Sequence, residues 1–308
     1  MTLDDICAAH PTRVTEKEKE DFRREILSYA EQQGYHAQVE ENGFLKHRNV
    51  VIGDPEHAAV LFVAPQETDS RGLLPRRTYL NHIPVFILQQ LLSVLLLMIP
   101  CLMVAVLVTS LTHSAQLGLA LFLLCYLGLL FLERFGPARK ENRAATSAPY
   151  TLLALMERIP ADARKKVAFL FPDASYHGRG GAKAYASAHE SVSYTRLTVN
   201  LDVPILGESV ILVARPLAEK CTGYRALIRS LSEHLPLVQL PNRFTVMQTD
   251  QKFFRCGVEI TSATQKPGMG YVQSFGQEPC SEERLGALID ALCAFVCSLT
   301  GTEAVQEK

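Results

Sequence analysis

From Thr78 to Leu132 the chain contains no Asp, Glu, Lys or Arg, and this gap constrains its fold more than any other feature. Pro84 to Leu111 is apolar but for Gln89, Gln90, Ser93, Thr109 and Ser110, and Ala115 to Leu132 forms a second largely apolar run. A bilayer's hydrocarbon core takes about 20 residues of helix, and Thr112, His113 and Ser114 leave room only for a tight turn. Residues 83–133 therefore read as a transmembrane helical hairpin, with helices over 84–111 and 115–132 and both ends on one side of the bilayer. Pro100 lacks a backbone donor and is expected to kink the first helix. Gln89, Gln90 and Gly118 are candidates for helix contacts. The competing reading is a buried helical pair in a soluble protein, but helices in soluble proteins average only about 10–14 residues.

Charge at the flanks sets the orientation. Arg71, Arg76 and Arg77 precede the hairpin, Arg134, Arg139, Lys140 and Arg143 follow it, and the turn carries only His113. The excess of basic residues on the flanks places both termini and the soluble part in the cytoplasm, anchored to the cell membrane as a two-helix, multi-pass protein. The opening Met-Thr-Leu-Asp-Asp has neither the basic nor the apolar segment of a signal peptide, so the hairpin is expected to direct its own insertion. The 8 cysteines lack the spacing of a disulfide framework or a zinc ribbon and read as free thiols. Lys and Arg at 31 against Asp and Glu at 32 leave no electrostatic footprint for nucleic acid.

Residues 1–80 and 136–308 are expected to fold together, since neither alone alternates enough elements to close a sheet. Thr15 with Glu18 makes a capping box, Phe22, Ile26, Leu27 and Ala30 form an apolar stripe, and Gly34 stops that helix. Strands are expected at Ala37–Glu40, Asn49–Ile52, Ala59–Ala64, Lys166–Phe171, Arg196–Val203, Ser209–Ala214 and Val258–Thr261. Helices are expected at Tyr150–Ile159, Gly180–His189, Leu217–His234 and Ser281–Leu299. The charge runs Glu16–Glu20 and Arg164–Lys166 read as solvated faces. This alternation predicts an α/β layer fold with a mostly parallel central sheet, whose chemistry gathers beyond the carboxyl ends of the strands.

At those strand ends the sequence resembles the di-zinc aminopeptidases of metallopeptidase family 28, especially the bacterial branch whose peptidase domain is interrupted by a membrane hairpin. Asn49-Val-Val-Ile-Gly-Asp-Pro55 and Val60-Leu-Phe-Val-Ala-Pro-Gln-Glu-Thr68 are similar to the family's first strand pair, which ends in Ala-His-Tyr-Asp-Thr. There Pro65 stands at the metal-binding His and Glu67 at its orienting Asp. Arg143-Ala-Ala-Thr-Ser-Ala-Pro resembles the Asn-Asp-Asn-Thr-Ser-Gly stretch, with Ala144 at the bridging Asp. Lys166 to Gly181 resembles the strand and turn containing Phe-Asp-x-Glu-Glu-x-Gly, with Ser175 at the general base and Tyr176 at a zinc ligand. Val199-Asn-Leu-Asp202 keeps the Asn-x-Asp motif, Thr249 to Val258 resembles the Ser-Asp-x-x-x-Phe-x-x-Gly pocket loop, and Ser274 takes the place of the last His.

The resemblance implies a three-layer αβα, zinc-exopeptidase-like fold with a mixed, mostly parallel sheet, interrupted by the hairpin. It also implies that Asp202 is the only ligand type retained among the vestigial metal positions Pro65, Ala144, Tyr176, Asp202 and Ser274. Metal-assisted hydrolysis needs a bound ion and a carboxylate proton shuttle, so no catalytic residue and no cofactor are expected, with zinc as the alternative. The function read from this is a catalytically inactive pseudopeptidase that acts as a binding or scaffold module. Its expected partners are the lipid bilayer and an unidentified protein or peptide. The alternative is an active membrane-bound metallo-aminopeptidase with a ligand set rebuilt from Glu67, Asp69, Asp173, His177, Asp202 and Asp250. Glu67, Asp173, His177 and Asp250 are the expected pocket residues. Gly178-Arg-Gly-Gly181 suggests an anion cradle against a purely steric role, and Ser175 beside His177 suggests a serine hydrolase, although the Gly-x-Ser-x-Gly elbow is absent.

Overall fold

The computed structural model describes residues 1–68, 77–80, 82–135, 143–176, 178–241, 249–274 and 281–300. Before the long apolar stretch come α1 (Leu3–Ala9), α2 (Glu16–Gln32), β1 (Ala37–Asn42), β2 (His47–Ile52), β3 (Val60–Val63) and β4 (Arg77–Tyr79). The apolar stretch itself is α3 (Ile83–Thr112) and α4 (Ala115–Phe135). After it come α5 (Arg143–Arg158), β5 (Val167–Phe171), α6 (Gly180–Ala188), α7 (Glu190–Thr195), β6 (Leu197–Leu201) and β7 (Ser209–Ala214). The chain continues with α8 (Tyr224–His234), β8 (Leu237–Pro241), β9 (Gly257–Lys266), β10 (Gly270–Ser274) and α9 (Glu282–Thr300).

The strands form one mixed sheet in the order β1-β2-β5-β3-β6-β9-β10-β4, with β7 bridging β8 and β9. Its centre is parallel: β3 lies between β5 and β6, and β6 pairs with β9. Strands from both sides of the helical pair thus complete a single sheet. Side chains alternate across it, as a strand's period of two requires. Val60 and Phe62 join Phe22, Leu152, Leu231 and Phe295 in one apolar layer beneath α2, α5, α8 and α9. Leu61 and Val63 face the other way, with Leu170, Ala182, Tyr185 and Val192, under α6 and α7. The result is the three-layer αβα arrangement expected from the resemblance.

Local chemistry accounts for the element ends. Thr15 and Glu18 cap α2 reciprocally, as their spacing predicts, and Thr2 with Asp5 does the same for α1, which the sequence reading missed. The helix expected over 217–234 is in fact two pieces, a 3-10 turn at Ala218–Lys220 and then α8. Gly223 divides them with a φ of 93°, and a side chain there would press on Leu299 at 3.0 Å. The strand expected at Val258–Thr261 runs on to Lys266 because its far end pairs with β10.

α3 and α4 are long and apolar enough to cross a membrane, and their large side chains are mostly exposed. His113 turns the chain between them in the left-handed conformation, with φ 53°. The helices meet closely at Gly118, where a Cβ would strike Thr109 and the carbonyl of Ala105. Pro100 lies inside α3.

Candidate functional site

Because β3, β5 and β6 are parallel, the segments leaving their carboxyl ends converge. These are Ala64–Thr68, Pro172–Tyr176 and the turn at Asp202–Val203. Two residues there hold left-handed backbone without being glycine, Ala174 at φ 52° and Val203 at φ 47°. Such a conformation is unfavourable for a β-branched residue and persists only where the surroundings enforce it. Ser262 Oγ donates to the Val203 carbonyl at 2.8 Å and helps to hold it.

The centre of the cluster is a lysine. Lys19, on α2, is only 6% exposed, and its Nζ sits 2.7 Å from Asp173 Oδ1 and 3.2 Å from Glu67 Oε1. Glu16 also reaches the ammonium. Burial works against the charged lysine, but the Glu67 charge and the Asp173 and Glu16 hydrogen bonds outweigh it, so its pKa is raised. Burial likewise opposes ionised Asp173, yet the bond from Lys19, its charge and the amides of Arg48 and Ala174 hold that carboxyl below its ordinary value. Glu67 takes further bonds from the amides of Ala174 (3.1 Å) and Tyr176 (3.3 Å).

Arg13 is a second buried cation of the N-terminal segment. Fully enclosed, it donates to the Gln66 carbonyl at 2.8 Å and to Thr146 Oγ1 at 3.1 Å, tying the end of β3 to the first turn of α5. Its guanidinium also covers the Phe22 ring at 4.5 Å. Burial pulls its pKa down to about 10, so it stays charged at neutral pH.

Acidic groups gather beside the end of β6. Tyr176 donates its hydroxyl to Asp202 Oδ1 at 3.3 Å, and Ser175 Oγ donates to Asp250 Oδ2 at 2.6 Å. Glu259, on β9, accepts from Asn200 at 2.6 Å and Thr249 at 2.7 Å. One oxygen of Asp250 and one of Glu259 are buried with no hydrogen-bond partner among the described residues. Burial raises Asp250 to about 6. Burial first, then the charge of Asp202, raises Glu259 well above its ordinary value.

Among the described residues, the donor set does not fit the dinuclear centre that the resemblance implies. Pro65 and Ala144 have no side-chain donor atom. Tyr176 commits its hydroxyl to Asp202, and a lysine ammonium stands between the nearest carboxylates. Among the described residues, no group of three or more His, Cys, Asp or Glu side chains could hold a metal ion. Ala144 lies in the first turn of α5, and Ser274 ends β10 in register with Arg77 of β4. Asp69 and His177 lie outside the described residues.

The same geometry bears on two other sequence readings. Around Gly178–Gly181, the Arg179 amide bonds the Ala174 carbonyl at 2.7 Å and the Gly181 amide bonds the Asp173 carbonyl at 3.0 Å, so both are already used. A Cβ on Gly181 would collide with the Asp173 backbone and Asn49, and one on Gly180 with the His47 ring. Gly180 and Gly181 thus permit close packing of α6, the steric alternative. Ser175 donates to the Asp250 carboxylate, and His177, its partner in the serine-hydrolase reading, lies outside the described residues.

Lys19 corrects the reading of Glu16–Glu20 as a solvated face. It extends the apolar stripe of Phe22, Ile26 and Ala30 by one helical step, and that spacing was the available signal. Arg13 had no such signal in its spacing. Glu259, a carboxylate inside an otherwise buried strand, also escaped notice.

No protein-family model and no curated protein matches the sequence. Solved structures do share its fold. LapA aminopeptidase of Legionella pneumophila is 10% identical, with a TM-score of 0.56 over 98% of this chain and 70% of its own. Macrostomum lignano glutaminyl cyclase is 10% identical, with a TM-score of 0.56 over 99% of this chain and 91% of its own. For Porphyromonas gingivalis glutaminyl cyclase the values are 9%, 0.54, 97% and 98%. At such identities the likeness is one of fold, and the fold is the zinc-exopeptidase-like αβα class with two long apolar helices inserted between β4 and α5.

Proposed function

We propose that this chain is a membrane-anchored, peptidase-like pseudoenzyme whose cytoplasmic domain serves as a binding or scaffold module for a protein or peptide. One observation carries the reading: Lys19 lies between Glu67 and Asp173, so the charge compensation that bound metal would give these loops comes from the chain itself. Pro65, Ala144 and Tyr176 at the resembled ligand positions support it, because zinc takes three or four Cys, His, Asp or Glu ligands per site. The basic flanks of α3 and α4 support insertion with both ends in the cytoplasm.

Turnover assays test this. The full chain in detergent, with zinc, cobalt or manganese added, is expected neither to release amino-terminal residues from short peptides nor to cyclise amino-terminal glutamine. Metal-stimulated turnover of either kind would overturn the proposal. It would favour the alternative, a membrane-bound metallo-aminopeptidase or related enzyme using an unusual ligand set around Asp202, whose charge acts on Asp250 and Glu259.

A further inference from the structure

The chain path fixes which end of the sheet the long apolar helices leave from. β4 is antiparallel to β10 and β10 to β9, so β4 runs in the direction of β9 and β6 and delivers the chain to α3 on the carboxyl side of the sheet. The return is on that side too, because Arg13 joins Thr146 in the first turn of α5 to Gln66 just past β3. Both stems of the helical pair therefore adjoin the end of the sheet that carries the Lys19 cluster.

The tip of the β1–β2 hairpin belongs to the same end. β1 is antiparallel to β2 and β2 to β5, so β1 points with β5 and its turn, residues 43–46, stands at the carboxyl edge. That turn presents Phe44, 99% exposed, and Leu45, 73% exposed. Among the described residues outside α3 and α4, the next most exposed large apolar side chain is Tyr194 at 48%. Two adjacent apolar side chains in full solvent contact at a tight tip are unfavourable in water. Lys46 follows them directly and is exposed, as is Lys183, beside the Ala184 that Gly43 touches. Apolar side chains flanked by lysines match a bilayer interface, with hydrocarbon for the tip and anionic headgroups for the ammonium groups.

We propose that the Phe44–Leu45 tip inserts into the interface of the same bilayer that α3 and α4 span, so that the carboxyl-end face of the domain is held against the membrane. This rests on the reading of α3 and α4 as membrane spans. A tip this small would bind a free bilayer weakly, but the covalent hairpin makes its insertion intramolecular and supplies a high effective concentration of lipid surface. The candidate site then faces the headgroup layer, and its ligands are segments presented at the membrane surface.

The chain has no tryptophan, so single substitutions report position without background. Three variants of the full chain, Phe44→Trp, Leu107→Trp in α3 and Leu217→Trp, are reconstituted in anionic vesicles containing lipid brominated along its acyl chains. Leu217 follows β7, whose end pairs with the start of β9 at the opposite edge of the sheet. The expected result is blue-shifted, quenched emission for Phe44→Trp and Leu107→Trp and unquenched emission for Leu217→Trp. Adding Lys46→Glu should reduce the quenching at position 44. Unquenched Phe44→Trp beside quenched Leu107→Trp would overturn the proposal and leave the membrane spans standing. Unquenched Leu107→Trp would overturn the spans and the proposal with them, and quenching of all three would overturn the orientation.

Discussion

Lys19 neutralises two carboxylates that are themselves nearly enclosed, so its removal exposes a large electrostatic debt. Lys19→Met should destabilise the fold by about 3–5 kcal/mol, since uncompensated buried charge costs far more than the pair contributes. Chemical denaturation of the variant measures this, and adding Glu67→Gln and Asp173→Asn should restore most of the loss. Asp250 gives the fold a pH dependence in the acidic range. Its folded pKa, about 6, lies above the ordinary 3.8, so the folded state binds the extra proton and stability falls as pH rises from about 4 to about 6. Asp250→Asn should remove that part of the decline and raise stability at pH 7 by about 1–3 kcal/mol, read from melting curves across the window. These residues mark where the sequence was readable. Asp173 and Asp202 closely follow β5 and β6, and Asp250, on the 3-10 turn before β9, meets Ser175 beside them. Lys19 and Glu259 look ordinary in a linear chain and become informative only once the helix face and the strand are seen to be buried.

Among the elements, the helical pair was legible because a run without charge admits few folds, and the expected bounds, 84–111 and 115–132, lie within α3 and α4. The close approach at Gly118 predicts that Gly118→Val forces the helices apart and costs about 1–3 kcal/mol by overpacking. Gly128→Ala, where nothing lies within 4 Å, should leave the melting temperature in detergent unchanged. The buried strands β3, β5, β6 and β7 were legible as apolar runs. β4, β8 and β10 were not, for a physical reason: they are peripheral strands of mixed polarity. β8 ends in Pro241, and β10 contains both Gln273 and Ser274. Their pairing depends on neighbours far along the chain rather than on their own pattern.

For the molecule as a whole, the order of helices and strands was enough to place the sheet and the end at which its parallel strands finish, and the fold it shares with LapA aminopeptidase and the glutaminyl cyclases agrees with that order. The site was legible only in outline. Motif positions indicated where metal ligands stand in similar chains, but not that Arg13 and Lys19, distant in sequence, project beneath the same loops. On the proposed reading, Lys19 and Arg13 supply the positive charge at the strand ends that a metal would otherwise give. Metal content of the purified full-length protein, measured by elemental analysis after dialysis against micromolar zinc, tests it most directly. Far less than one ion per chain, unchanged in Asp202→Ala, is the expected result. One or two tightly held ions per chain, lost in Asp202→Ala, would contradict it.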